Sequence, residues 1–198
     1  MAEVKFSPAD ILSRLGRIPT WSAQLACGVA CAERALPEYL TFCSQANWAG
    51  PAPLRSAIDL GWQYCATGVF AGNPRAILDE CEQCIPDLDE FEELSASFAQ
   101  NVATAVCALL DCYIDADIGR LAKVFELSLD SADLYVQESL GLNPRDPRLE
   151  ERILEHQIMQ QELGRQRRDL TEAAAKTTNP ELSAILHSRA KSERLLRL

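Results

Sequence analysis

The chain has 198 residues, of which 47% are hydrophobic and 24% are charged, values that are typical of a folded globular protein and exclude disorder along its whole length. The net charge of −10 argues against generic nucleic-acid binding, because neutralising phosphates requires Lys and Arg. Residues 1–142 hold 8 of the 19 Lys/Arg and 20 of the 29 Asp/Glu, a net charge of −12, whereas residues 143–198 carry a net charge of +2. The last quarter of the chain is therefore mildly basic beside an acidic body.

The predicted elements are all helices. Ser7-Pro8-Ala9-Asp10 combines an N-cap serine with a proline in the first turn, and Thr20 is a second N-cap. Between Trp21 and Phe42 the apolar residues recur at helical spacing, and Pro37 predicts a break or a kink before the helix continues to Ala46. Further helices are predicted at about 54–67, 73–85, 90–115, 116–140 and 147–176, with a last one that begins at Asn179 and includes Leu195 and Leu196.

These patterns predict an all-α protein, a bundle of seven or eight helices in a single domain over residues 1–198. The two long helices between 90 and 140 are expected to pack against the Trp21–Phe42 stretch. The acidic linker 87–93 is expected to place carboxylates in the first turn of the helix that follows it. The polar C-terminal helices, 147–198, either fold back on the body or pair with a second copy, which would make a homodimer.

The N-terminus and the cysteines together predict a compartment. The first residues contain no apolar run, so we expect no signal peptide, and the longest apolar run, 102–110, is shorter than the roughly 20 residues of a membrane span. We therefore expect a soluble cytoplasmic protein with no membrane contact. Most of the eight cysteines lie in helical patterns, where reduced thiols act as small buried hydrophobic groups.

Two stretches resemble a known family. Glu33-Arg34-x-x-Pro37-x-Tyr39-x-x-Phe42-Cys43, followed by Arg55-x-x-Ile58-Asp59-Leu60-x-Trp62, resembles the YjaG-like bacterial proteins, domain of unknown function 416. The resemblance implies an all-helical cytoplasmic protein without an established activity, and an association with bacterial signalling that gene neighbourhood suggests. It carries no catalytic residue and no cofactor to this chain.

Glu33 and Arg34 precede a proline in an otherwise apolar helix, and two interpretations are open. In the first, they form a structural ion pair or a hydrogen bond to the backbone group that Pro37 leaves without its helical partner. Alternatively they form the polar floor of a ligand-binding cleft, with Tyr39, Asp59 and Trp62 nearby.

Cys81-Glu82-Gln83-Cys84 has the spacing of a redox pair or of half a zinc site. A redox cysteine is favoured at a helix N-terminus, whereas this pair lies at the end of a predicted helix, where the dipole disfavours a thiolate. Zinc would need two further ligands, which only Cys27 and Cys31 offer. We therefore predict neither a metal nor a redox site here.

Asp111, Asp115 and Asp117 cluster at the junction of the two long helices, where carboxylates can hold a cation or remain solvated. A di-metal bundle site requires Glu-x-x-His, and neither His156 nor His187 follows that pattern, so a solvated helix end is favoured.

The stretch Arg165-Gln166-Arg167-Arg168 is interpreted as a solvated basic face, or as one that docks on the acidic body or on a second protomer. The sequence contains no recognisable catalytic triad, phosphate loop or H-E-x-x-H motif. It therefore favours a non-enzymatic cytoplasmic protein that acts through contacts with an unidentified protein partner, without a cofactor. The alternative is a small-molecule-binding protein or an unrecognised enzyme with the cleft at Glu33 and Arg34.

Overall fold

The computed structural model describes residues 7–48, 50–91, 93–175 and 179–196, and in these ranges the chain forms nine α-helices and no strand. The all-α class is thus confirmed, and the helix count exceeds the predicted seven or eight because the long polar helix predicted at 147–176 is divided at His156. The helices are α1 (Pro8–Leu15), α2 (Trp21–Ala46), α3 (Ala52–Thr67), α4 (Pro74–Glu82), α5 (Leu94–Asp115), α6 (Ile118–Leu140), α7 (Leu149–Glu155), α8 (Gln157–Ala175) and α9 (Asn179–Ser192).

Local side-chain chemistry sets several helix starts where the sequence predicts them. The hydroxyl of Ser7 accepts the backbone N–H of Asp10, and the Asp10 carboxylate accepts the N–H of Ser7, which is a complete capping box. Thr20 caps α2 and Asn73 caps α4 by a single hydrogen bond each, in which the side-chain oxygen accepts a backbone N–H of the first turn. Each cap satisfies one of the backbone N–H groups that a helix start leaves without a partner.

α2 is the central helix, and it packs against α3, α5, α6, α8 and α9. The expected packing of the two long helices, α5 and α6, on α2 is confirmed. The helix passes through Pro37 without interruption, so of the predicted break or kink the break does not occur. Its close packing depends on Gly28, where an added Cβ would lie 2.6 Å from Leu121 Cδ1 of α6 and 3.0 Å from Leu109 Cδ2 of α5.

Two boundaries differ clearly from the predictions. α5 begins at Leu94, and its first turn contains no acidic residue, because residues 87–91 and 93 of the acidic linker lie outside the helix as loop and turn. At its C-terminal end, α9 stops at Ser192, so Leu195 and Leu196 lie beyond the helix rather than in it. Of the polar stretch predicted at 147–176, residue 176 lies outside the described residues.

The hydrophobic core contains residues from all nine helices, including the C-terminal α7, α8 and α9. α5 is, within the described chain, the one helix long and apolar enough to span a membrane, and 56% of its apolar window is buried in the protein. The core helix of a globular protein has the same length and composition, and α5 packs between α2, α4 and α6.

Candidate functional site

Three of the five residues predicted to line a cleft meet around Arg55 of α3. Arg55 donates hydrogen bonds to both carboxylate oxygens of Glu33 and to Oδ1 of Asp59, each at 2.7 Å. Trp62 Nε1 donates to Glu33 Oε2 at 3.0 Å, and the indole ring stacks on His187 of α9 with the ring centroids 4.7 Å apart. We call this group the Glu33 cluster; its members are Glu33, Arg55, Asp59, Trp62 and His187.

The charges of the Glu33 cluster are matched internally. Burial raises the pKa of Glu33, but the hydrogen bonds from Arg55 and Trp62 outweigh it and hold that pKa below its usual range. Burial lowers the pKa of His187, and the nearby Lys191 lowers it further, so the imidazole is neutral at pH 7. Because both oxygens of Glu33 already accept hydrogen bonds, this geometry favours the structural ion pair over a general base.

Arg34 lies on another face of α2 and points into the interior, toward α8. Its Nη1 donates to Asp169 Oδ2 at 2.7 Å and its Nη2 donates to Cys31 Sγ at 3.3 Å, while Nη2 lies 3.8 Å from Glu162 Oε1. Burial opposes the charged guanidinium, but Cys31, Glu162 and Asp169 raise the pKa of Arg34 above its ordinary value. Arg34 therefore does not contribute to the cleft that the sequence predicts around Glu33.

The partners of Arg34 belong to a buried polar stripe on α8. Asp169 also accepts a hydrogen bond from Arg189 of α9 at 2.9 Å, and Gln166 donates to Glu162 and to the backbone carbonyl of Phe125. Sequence reasoning missed this stripe. The signal for it is the spacing of Glu162, Gln166 and Asp169, at i, i+4 and i+7, which places three polar residues on one helix face.

The basic stretch 165–168 is not a solvated face. Arg165 and Gln166 are buried, and Arg165 lies 3.6 Å from Glu162. Arg168 is half exposed and pairs with Glu193, at 2.8 and 3.0 Å. Because Gln166 donates to the backbone carbonyl of Phe125 in α6, α8 docks on the body of the same chain through this stretch.

Tyr39 lies in an aromatic cluster at the far end of α2. Its hydroxyl donates to the backbone carbonyl of Cys84 at 2.8 Å and accepts from Trp48 Nε1 at 3.2 Å. The rings of Phe42, Trp48 and Phe91 pack edge to face or tilted beside it. The structure thus distributes the five predicted lining residues over three places: Glu33, Asp59 and Trp62 meet, while Arg34 and Tyr39 lie elsewhere.

The cysteines lie mostly buried as free thiols, and the three aspartates surround Arg120 at a helix junction. Seven of the eight cysteines are buried, all eight are free, and burial raises the pKa of Cys81 to about 12, which disfavours its thiolate. Arg120 contacts Asp111 and Asp115, at 2.5 and 3.2 Å, and lies 3.9 Å from Asp117, in a solvent-accessible helix junction. Among the described residues, no three His, Cys, Asp or Glu side chains are grouped so that they could hold a metal ion.

After α9, residues 193–196 lie against α2, and we call them the C-terminal strap. The backbone N–H of Leu195 donates to the carbonyl of Arg34 at 2.9 Å, and the N–H of Leu196 donates to Glu38 Oε1 at 2.8 Å. Both leucines are buried. Burial raises the pKa of Glu38 to about 7, although the bond from Leu196 opposes this.

Beside the strap, the outer face of α2 borders two adjoining hollows of about 250 and 380 Å³. Both are lined by Pro37, Leu40 and Arg194, and together we call them the α2 groove. Leu36 and Lys191 line its inner part, next to the Glu33 cluster.

Comparison with known proteins places the chain in a family. Residues 10–194 match the family described as protein of unknown function, DUF416, and the chain belongs to that family. A DUF416 family protein from Shewanella baltica OS155, whose crystal structure is known, has the same fold, with a TM-score of 0.84 and 21% sequence identity over 91% of this chain and 93% of that one. No curated protein matches the chain in sequence.

Proposed function

We propose that this member of the DUF416 family is a non-enzymatic protein that acts through protein–protein contacts, with the α2 groove as its docking surface. The observation that carries the proposal is Leu40, which is 44% exposed on the central helix of the protein and is shared by both hollows. Leu36 and Pro37 extend the apolar floor beside it. Exposed apolar surface rimmed by charged side chains is typical of a protein contact site.

The rim of the groove favours an acidic partner. Of the carboxylates in its lining, Glu33 is paired with Arg55, and Glu193 is paired with Arg168. Lys191 and Arg194 are exposed and form no ion pair with any residue that the structure describes. Two unmatched cations on a protein with a net charge of −10 are complementary to an acidic segment.

The shape of the groove favours a helical segment. Its two hollows follow one helix from Glu33 to Gln45, and each is open to solvent. A pocket for a small molecule instead encloses most of its ligand. We therefore propose that the partner is an amphipathic acidic helix that places leucine-like side chains against Leu36 and Leu40.

We also propose that the protein is cytoplasmic. All eight cysteines are free thiols, the state that a reducing compartment maintains.

Two synthetic peptides test the docking surface. One is an amphipathic helix of about four turns with leucines at i, i+4 and i+7 and glutamates elsewhere, and the other has lysine in place of every glutamate. We expect the acidic peptide to bind in fluorescence anisotropy and the basic peptide not to bind. Leu40→Ser and Arg194→Glu should each weaken binding by about tenfold or more, because each removes a contact worth at least ~1.4 kcal/mol.

Matched controls separate the groove from the rest of the surface. Leu140 is 45% exposed, as Leu40 is, and Arg75 is exposed without an ion pair among the described residues, as Arg194 is. Leu140→Ser and Arg75→Glu should leave the affinity unchanged. Equal loss in the control variants, or no binding of the acidic peptide to the unmodified protein, would overturn the assignment of the groove.

A further inference from the structure

We propose that the C-terminal strap is a latch on one wall of the α2 groove, and that loss of a proton from Glu38 loosens it. The role of the latch in partner binding rests on the function proposed for the groove. The latch itself depends only on the contacts between the strap and the helices beneath it.

The strap is held by its backbone as well as by its side chains. Leu195 donates its N–H to the Arg34 carbonyl and accepts a hydrogen bond from Arg165 Nη1 at 3.3 Å. Leu196 donates its N–H to Glu38 at 2.8 Å. Since Glu193 and Arg194 line the groove, any movement of the strap changes the wall that a partner would contact.

Among the described residues beneath the strap, Glu38 is the carboxylate that forms no salt bridge. Arg34 pairs with Asp169, and Arg165 lies beside Glu162. Glu38 has no such partner: Oε1 accepts the Leu196 N–H, while Oε2 is buried without a hydrogen bond to any described residue.

The electrostatic neighbours of Glu38 explain its proton affinity. Burial raises the pKa of Glu38 to about 7, the Leu196 N–H and Arg194 of the strap lower it, and Glu162 of α8 raises it. An ionised Glu38 under a closed strap is thus a poorly compensated buried charge, and opening the strap lets water solvate it.

The direction of the pH effect follows from linkage. With the strap open, Glu38 returns toward its ordinary pKa of 4.5, whereas with the strap closed the pKa is about 7. Closure is therefore most favourable below about pH 4.5, loses stability as the pH rises to 7, and is constant above that. The window overlaps neutral pH, where a cytoplasmic protein works.

Hydrogen–deuterium exchange of the C-terminal peptide tests the latch directly. The amide exchange chemistry itself accelerates with pH, so the unmodified protein and Glu38→Gln are compared at the same pH, because glutamine keeps the acceptor for Leu196 without the charge. At pH 8.5 we expect exchange at least about fivefold faster in the unmodified protein, and at pH 4, where Glu38 is protonated with the strap open or closed, the two rates should agree within about twofold. Equal rates at pH 8.5 would overturn the latch.

Glu38→Ala serves as the opposite control. It removes the acceptor for the Leu196 N–H, so the C-terminal peptide should exchange fast at both pH values, while a peptide from α5 exchanges as in the unmodified protein. Fast exchange throughout α5 would show that Glu38→Ala is unfolded. In that case the test of the latch is the comparison between the unmodified protein and Glu38→Gln.

Binding of the acidic peptide tests the coupling to the groove. The unmodified protein should bind it more weakly at pH 8.5 than at pH 6, and this difference should be smaller in Glu38→Gln. His187 also titrates near the groove, but it is present in both proteins and its effect cancels in the comparison. If hydrogen exchange shows the latch but the peptide does not bind, the groove proposal is overturned and the latch stands. If the peptide binds but exchange shows no difference, the latch is overturned and the groove proposal stands.

Discussion

At the scale of single residues, burial rather than the number of partners decides how much a charge contributes to the stability of this protein. Arg34 is 1% exposed, and its strong ionic contact is with Asp169. Arg120 is close to three aspartates, but its side chain is 46% exposed and water competes for every contact. Exposed ion pairs contribute little, whereas removing one partner of a buried pair leaves an uncompensated charge.

We predict that Arg34→Met lowers the free energy of unfolding by about 3 kcal/mol, because Asp169 and Glu162 stay buried and lose the buried cation that they share. Arg189 still contacts Asp169, so the expected loss of stability is at the lower end of the range for breaking a buried ion pair. Arg120→Met should change stability only slightly. Urea denaturation of both variants measures the difference, and equal losses would contradict the argument from burial.

The candidate site was only partly predictable at this scale. Glu33, Asp59 and Trp62 meet because Arg55 lies one helical turn before Asp59, which the sequence shows. The direction of Arg34 was not predictable, since its partner, Asp169, is 135 residues away in the sequence and no local pattern connects the two helices. Adjacent residues on a helix point about 100° apart, so Glu33 and Arg34 face different neighbours.

At the scale of the elements, helix starts followed local rules and helix contacts did not. Ser7, Thr20 and Asn73 cap their helices as predicted, because a cap needs only the next three residues. The division at His156 and the burial of Arg165 depend on what the C-terminal helices pack against. Helical spacing alone therefore left a solvated face and a docking face open for the stretch 165–168, of which the fold buries Arg165 and Gln166.

Two glycines inside helices provide a test of close packing. At Gly28 a methyl group meets buried leucines of α5 and α6, whereas at Gly164 of α8 nothing lies within 4 Å of an added Cβ. We predict that Gly28→Ala destabilises the protein by about 1 kcal/mol, because overpacking exceeds the gain in helix propensity. Gly164→Ala should stabilise it by up to about 1 kcal/mol, since only the propensity term remains. Thermal denaturation gives the sign of each change, and a gain in stability at Gly28 would contradict close packing of the three helices.

At the scale of the whole molecule, the mildly basic C-terminal region is joined to the acidic body by both charge and apolar contact. Arg34 of α2 is bonded to Asp169 of α8, and the strap is bonded to Glu38 of α2. Buried apolar residues of the C-terminal helices belong to the same core as those of α2, α5 and α6: Ile153, Met159, Leu163, Leu170, Leu182 and Leu186. A region attached in this way has no core of its own to keep when the body unfolds.

We therefore predict one cooperative unfolding transition for the whole chain, rather than early melting of a C-terminal appendage. Trp62 stacks on His187 of α9, so the measurement uses a Trp62→Phe variant, in which the remaining Trp21 and Trp48 lie in the N-terminal quarter of the chain, whereas far-ultraviolet circular dichroism reports every helix. With one transition, tryptophan fluorescence and circular dichroism should share a single midpoint in urea. A loss of helix signal before the fluorescence changes would mean that α7, α8 and α9 unfold first, and the C-terminal helices would then be an independent unit despite their shared core.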